Sequence, residues 1–264
     1  MAYKKKISVI IHSYHHRSKH RINCVVKKFL SDTSLNGHCD LIITCIDELI
    51  KNAVKANYKY MVMLERPTTL RANRPQGIDG QKSIHPSHTE DPVISRKVRE
   101  ILNEQARFND IMDRAYNEGR PLTDVERLAL LEFTVYNAVS AQMRRNNITA
   151  AMTLVIDEDT LHIHISNTAP IIESDLARIH EKLRCIRKLR SEGREHEFFT
   201  HNLDTSQAGF GLGYALIDSC CHQMDVDTED ALAIRAGTET AIEIDIPLKR
   251  PVDDPCEVEF IEVA

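Results

Sequence analysis

Residues 39–57 read CDLIITCIDELIKNAVKAN, a run without proline or glycine. At 3.6 residues per turn it makes about five turns of helix. Glu48, Asn52 and Lys55 stand at i, i+4 and i+7, within one narrow arc. Ile42, Ile46, Leu49 and Ala53 fall on a separate stripe that can face a core. An acid, an amide and a base are therefore stacked along one face of an otherwise apolar helix.

The flanking sequence is read outward from that helix. Residues 6–14 (KISVIIHSY) predict a first strand. Residues 17–31 carry Ile22, Val25, Val26, Phe29 and Leu30 at helical spacing, and Asn36-Gly37 marks a turn. On the other side, residues 58–64 (YKYMVML) read equally as more helix or as a short strand. Four prolines and two glycines over residues 66–92 predict a loop. Residues 93–117 and 123–145, the second entered by the cap-like pair Thr123-Asp124, predict a helical hairpin. Residues 151–157 and 160–166 alternate at period two about Glu158-Asp159, which predicts a β-hairpin. A basic amphipathic helix over 173–190, a polar flexible stretch over 193–208, a helix over 212–222 and a strand over 240–248 follow. The acidic tail 251–264 reads as solvated chain or as an edge strand. Strands and helices mix without regular βαβα alternation, which favours an α+β fold over a doubly wound sheet.

Composition bounds the function. Of the 264 residues 42% are hydrophobic and 28% charged, as in a soluble globular protein. A net charge of −5 gives no reason to expect nucleic acid, which usually needs a strongly basic face, and no apolar run approaches a membrane span. Seven scattered cysteines with no CxxC pair read as reduced thiols of a cytoplasmic protein. Cys220 and Cys221 are expected in a helix core, His162 and His164 on one strand face, and Phe198-Phe199 as a pin between a lid and the sheet.

Three pieces carry chemistry. Gly209, Gly211 and Gly213 in GFGLG, ahead of an apolar helix, let backbone approach phosphates at a helix N-terminus. No GK[ST] follows, so this is not a Walker loop. The amide oxygen of Asn52 suits Mg²⁺, which takes hard oxygen ligands and brings nucleotide phosphates with it. Glu48 is spaced to orient or deprotonate an attacking hydroxyl or water, and Lys55 to neutralise phosphate charge. Taken singly, each piece reads first as a glycine turn or a solvated polar face.

In order, the pieces resemble the GHKL superfamily, the ATPase fold shared by gyrase, the heat-shock chaperone, sensor histidine kinases and the mismatch-repair ATPase. DELIKNAVKAN resembles the N box, so that Glu48 matches its acid, Asn52 its magnesium-binding Asn and Lys55 its phosphate-facing base. IHISNTAPIIESDLARI resembles the G1 box and GFGLGYALI the G2 box, with Gly209, Gly211, Leu212 and Gly213 in place. AGTETAIEIDIPL resembles the closing strand, which puts Thr238 on the family's adenine-side Thr. The resemblance implies a two-layer α/β sandwich over residues 1–250, interrupted at 66–148 by a loop and helical-hairpin insertion, with ATP and Mg²⁺ as ligands. Two positions depart from it: Asn167 stands where the G1 box has Asp, and Ala169 where it has Gly. An Asn still accepts the adenine amino hydrogen bond through its carbonyl, provided its NH₂ faces elsewhere. A second N-box-like stretch, residues 131–143, has Glu132 and Asn137 five apart, which splays them around the helix.

The strand–helix–N-box opening is similar to that of compact anti-sigma serine kinases, which phosphorylate a separate protein. Too few residues precede the N box for a phosphoacceptor hairpin; His15, His16 and His20 near the first helix read as surface histidines. Three readings stay open. One is an ATP-dependent protein kinase acting on a partner protein. Another is a non-catalytic nucleotide-sensing module whose basic lid (Arg178, Lys182, Arg184, Arg187, Lys188, Arg190) binds a regulatory partner. The last is an ATP-hydrolysing clamp. A homodimer is compatible with each.

Overall fold

A computed structural model describes residues 4–65, 92–203, 212–248 and 258–263. The fold is α+β. The sheet is built from β1 (Lys4–Ile11), β2 (Ala150–Asp157), β3 (Thr160–Asn167), β4 (Leu232–Ala236), β5 (Thr240–Pro247) and β6 (Val258–Val263), in spatial order β4-β5-β3-β2-β1-β6. The first five pair antiparallel, and β6 adds to β1 in parallel, so this part of the tail is an edge strand.

Register explains the two faces. Ile7, Leu154, Ile163, Ile244 and Leu232 lie opposite one another in a row across the sheet. Period-two alternation then puts Met152, Ile156, Leu161, Ile165, Ile242 and Ile246 on the same buried face. The opposite face is polar: Ser8 meets Thr153, His162 meets Asp245 at 2.7 Å, and His164 meets Glu243 at 3.4 Å. A sheet with one apolar face needs one covering layer, an arrangement compatible with a two-layer α/β sandwich.

The covering layer centres on α2 (Cys39–Leu64), which lies against β2 and β3. It runs unbroken through residues 58–64, so YKYMVML continues the helix. Ile42, Ile46, Leu49 and Ala53 are buried as the stripe predicts, but so are Ile50, Val54, Met61 and Val62. The helix is apolar nearly all round because α1 (His16–Leu30), α3 (Pro92–Asn117), α5 (Thr134–Arg145) and α8 (Leu212–Gln223) pack on its other sides. Each fully buried Leu or Ile here contributes on the order of 2–3 kcal/mol. Cys45, Cys220 and Cys221 are buried where α2 meets α8.

Three sequence expectations need correction. The second hairpin arm is two helices, α4 (Asp124–Glu132) and α5. Phe133, with φ −77° and ψ 63°, breaks it. The break lets the Phe133 ring reach Phe108 of α3, while Glu104 of α3 accepts the Tyr136 N–H at 2.8 Å and caps the new helix. The 193–208 stretch contains α7 (Glu195–Leu203), so it is not irregular throughout. Phe198 does not pin a lid to the sheet: it packs with Ile186 and Ala215 in a small cluster joining α6 (Glu173–Ser191), α7 and α8. Of the predicted 66–92 loop, only Pro92 lies within the described residues, where it begins α3. A short α9 (Thr228–Ala231) leads into β4. Among the described residues no helix is long and apolar enough to cross a membrane.

Candidate functional site

Two cavities flank the middle of α2, and Asn52 forms part of both walls. The first holds about 890 Å³ of space between its walls, open solvent included. Its sides are apolar: Ala53 and Tyr60 from α2, Ile171 and Ile179 before and along α6, Tyr214 from α8, Ile242 from β5. Its polar wall comes from Asn167 at the end of β3 and Thr240 at the start of β5, which are paired in register.

Burial pushes the Tyr214 hydroxyl up, in keeping with an apolar surround. In its lining, Lys59 of α2 reaches Asp175 in the first turn of α6 at 2.7 Å, and Arg178 binds the same carboxylate. The Lys59–Asp175 pair is nearly buried, with 11% and 13% of the side chains exposed, so it ties α6 to α2.

The Asn167 amide has one arrangement. Its Nδ2 donates to the Ala169 carbonyl at 3.0 Å and to Asn57 Oδ1 at 3.4 Å. The NH₂ is thus engaged by protein acceptors, which leaves Oδ1 as the side chain's acceptor. Thr240 also gives its hydroxyl proton to the Ala169 carbonyl, at 2.7 Å.

The second cavity is lined mostly by polar residues and is wider, with about 1250 Å³ of space, open solvent included. From α2 it takes Glu48, Lys51, Asn52 and Lys55; from the start of α1, His15, His16 and Lys19; from α3, Gln105, Asn109 and Asp113. Lys55 is pushed down to about 8 by burial first, then by the nearby charges of Lys59 and Arg178. Lys51 binds both Asp47 at 2.7 Å and Glu48 at 2.8 Å. Asp47 also accepts from Lys19 at 3.1 Å and from the Tyr14 hydroxyl, whose proton is held more tightly by burial and by that carboxylate. Two buried polar atoms on this cavity, His16 Nδ1 and Asn109 Oδ1, make no hydrogen bond among the described residues.

The structure brings Glu48, Asn52 and Lys55 onto one cavity and sets Asn167 on the other, with Asn52 common to both. Gly213, the second residue of α8, stands against Glu48 and Asn52. Leu212 lines neither cavity and packs toward the Ile186–Phe198–Ala215 cluster. Thr238 is exposed in the β4–β5 turn, and Thr240 takes the wall position expected of it. Gly209 and Gly211 lie outside the described residues.

His15 caps α1 by accepting from the Ser18 N–H, His20 is exposed, and His16 lines the polar cavity. Three residues of the expected basic lid are committed internally, Arg178 to Asp175 and two others besides. Arg187 holds Asp218 at 3.2 Å and Glu229 at 2.8 Å, and Arg190 holds Asp218 at 2.6 Å and Glu195 at 2.8 Å. Glu132 and Asn137 of the second N-box-like stretch fall on different helices, either side of Phe133.

Sequence reasoning passed over Asn57, Lys59, Thr240, Gln105 and Asn109. Thr240 carried a signal, because it shares the inward phase of Ile242, Ile244 and Ile246; the α3 residues carried none. Comparison of the chain with protein-family models, curated proteins and solved structures gives no match.

Proposed function

We propose that the two cavities are the halves of one Mg-ATP site, and that the protein is a kinase transferring the γ-phosphoryl group to a partner protein. The observation that carries this reading is Asn52, one amide in the wall of an apolar cavity and of a lysine-lined polar one. A nucleotide has the same two-part chemistry, a flat base and a charged polyphosphate. In this reading the base lies against Asn167 and Thr240, and the polyphosphate passes Asn52 toward Lys55 and Lys19. Asn52 offers the hard oxygen that Mg²⁺ takes, and such an ion offsets charge on the phosphate oxygens. Glu48 is the group suited to take the acceptor's proton. Catalysis would rest on positioning and charge, as phosphoryl transfer does. The GHKL fold is the structural half of the same proposal.

Calorimetric titration with Mg-ATP, beside Asn52→Ala, tests it. The wild type is expected to bind and the variant to lose at least about tenfold in affinity, the scale of one or two polar contacts. A wild type that takes up no nucleotide ends the reading.

One observation favours a second reading, a nucleotide-sensing module that binds without transfer: Lys51 holds Glu48 Oε1 at 2.8 Å, so one of the two carboxylate oxygens is already occupied. Turnover of labelled ATP by Lys51→Met separates the two. Activity that rises in the variant identifies Glu48 as a restrained base, and no turnover in either protein supports sensing.

A further inference from the structure

The polar wall of the apolar cavity depends on a residue behind it. Asn57, 1% exposed, lies one and a half turns beyond Asn52 on α2. Backbone polarity fixes its amide. The Ala169 N–H can only donate, and it meets Asn57 Oδ1 at 3.1 Å; the Thr149 carbonyl can only accept, and it meets Asn57 Nδ2 at 3.0 Å. Asn57 Oδ1 and the Ala169 carbonyl then present two acceptors to the same end of Asn167, at 3.4 and 3.0 Å. Only an NH₂ satisfies both, so Asn167 Oδ1 is the end left for a ligand. The Thr240 proton is drawn to the same carbonyl, so its oxygen too is left with lone pairs. The wall accepts hydrogen bonds and does not donate them.

We propose that Asn57 is a positioning residue which, by locking the Asn167 amide, makes this cavity select a heteroaromatic base with an exocyclic amino donor. The inference rests on the nucleotide reading and adds to it the reason Asn stands at 167. An aspartate there would set a carboxylate oxygen against the Ala169 carbonyl and Asn57 Oδ1, both acceptors. The family-like residue would therefore weaken binding in this chain.

The test is the ratio of affinities for ATP and purine riboside triphosphate, which differ only in the 6-amino group. The wild type is expected to favour ATP by about tenfold, the scale of one buried hydrogen bond. In Asn57→Ala the Asn167 amide keeps only the Ala169 carbonyl, whose own residue is no longer tied to α2, so the lock loosens and the ratio falls below about threefold, while affinity for the analogue holds. A merely structural Asn57 would lower both affinities together and leave the ratio alone, and that result overturns the proposal. Should Asn57→Ala not fold, Asn167→Asp decides: ATP bound more weakly than by wild type supports the lock, and equal or tighter binding removes it. A wild type that binds both nucleotides equally defeats this inference alone; one that binds neither defeats the nucleotide reading with it.

Discussion

A β-carbon on Gly213 would stand 2.9 Å from Glu48 Oε2 and 3.2 Å from Asn52 Nδ2, so α8 approaches the central helix as closely as its backbone allows. The obstructing atoms are ends of side chains that can swing aside, and Ala is the better helix former by about 1 kcal/mol. Gly213→Ala is therefore expected to keep or slightly raise the melting temperature. The displaced amide is the group assigned to the metal and the displaced carboxylate the one assigned to the acceptor's proton, so Mg-ATP affinity should fall about tenfold or more. Thermal melts and titration of the same preparation check this. Unchanged affinity would show that neither group meets the ligand.

Asp47 holds the polar cavity together from beneath. Burial, the largest single influence, pushes its carboxyl up, but hydrogen bonds from Lys51, Tyr14 and Lys19 together bring it below the ordinary value. A carboxyl lowered by folding stabilises fully above its unfolded value near about 4, and that contribution is lost as pH falls through the folded value. Asp47→Asn should cost about 2 kcal/mol at neutral pH, tempered by the half-exposed lysines. The gap between variant and wild type should narrow in urea unfolding at pH 3. A gap of the same size at both pH values would mean that Asp47 contributes shape, not charge.

The parts legible in the sequence are those in which one element carries the whole pattern. Glu48, Asn52 and Lys55 share α2, so helical spacing alone sets them together. The strands β2, β3 and β5 alternate cleanly because one face is buried. The rest depends on contacts between distant parts of the chain. Asn57 and Asn167 meet across 110 residues of sequence. Thr238 reads as the wall residue until the strand is seen to start at Thr240, after the turn. The break at Phe133 follows from a ring partner on α3, and no local signal marks it. The α3 wall of the polar cavity has the same cause, since an amphipathic helix does not say which face of another helix it will cover.

Lys55 gives the site a pH signature of two opposite signs. Its ammonium falls to about 8 in the folded chain, against roughly 10.4 in the unfolded one. A depressed lysine costs stability below its folded value, and that cost fades as pH rises from about 8 toward 10. The unliganded protein should therefore gain stability over this range, relative to Lys55→Met. Phosphate needs the charged form, so Mg-ATP affinity should weaken as pH rises through about 8, and binding near that pH should take up a proton. Titrations in buffers of different ionisation enthalpy measure the uptake directly. In Lys55→Arg, which stays charged, both the pH slope and the uptake should vanish; their persistence would assign them to another group.

Asn109 separates stability from binding on the α3 wall. Its Oδ1 is buried on the polar cavity without a hydrogen bond among the described residues, and His16 Nδ1 nearby is 3.8 Å from Asp113, beyond hydrogen-bond reach. A buried acceptor left unmade costs about 1–3 kcal/mol, and such groups persist where a ligand or water uses them. Asn109→Leu, of similar volume, should therefore raise stability by up to about 1 kcal/mol in urea unfolding. If α3 closes over the polyphosphate, the same change should weaken Mg-ATP binding several-fold and leave adenosine, which ends before the polar cavity, unaffected. A stabilised variant with wild-type affinity for both ligands would confine α3 to packing. A variant weakened equally toward both would point to a displaced α2, because among the described residues Asn52 alone joins the cavities.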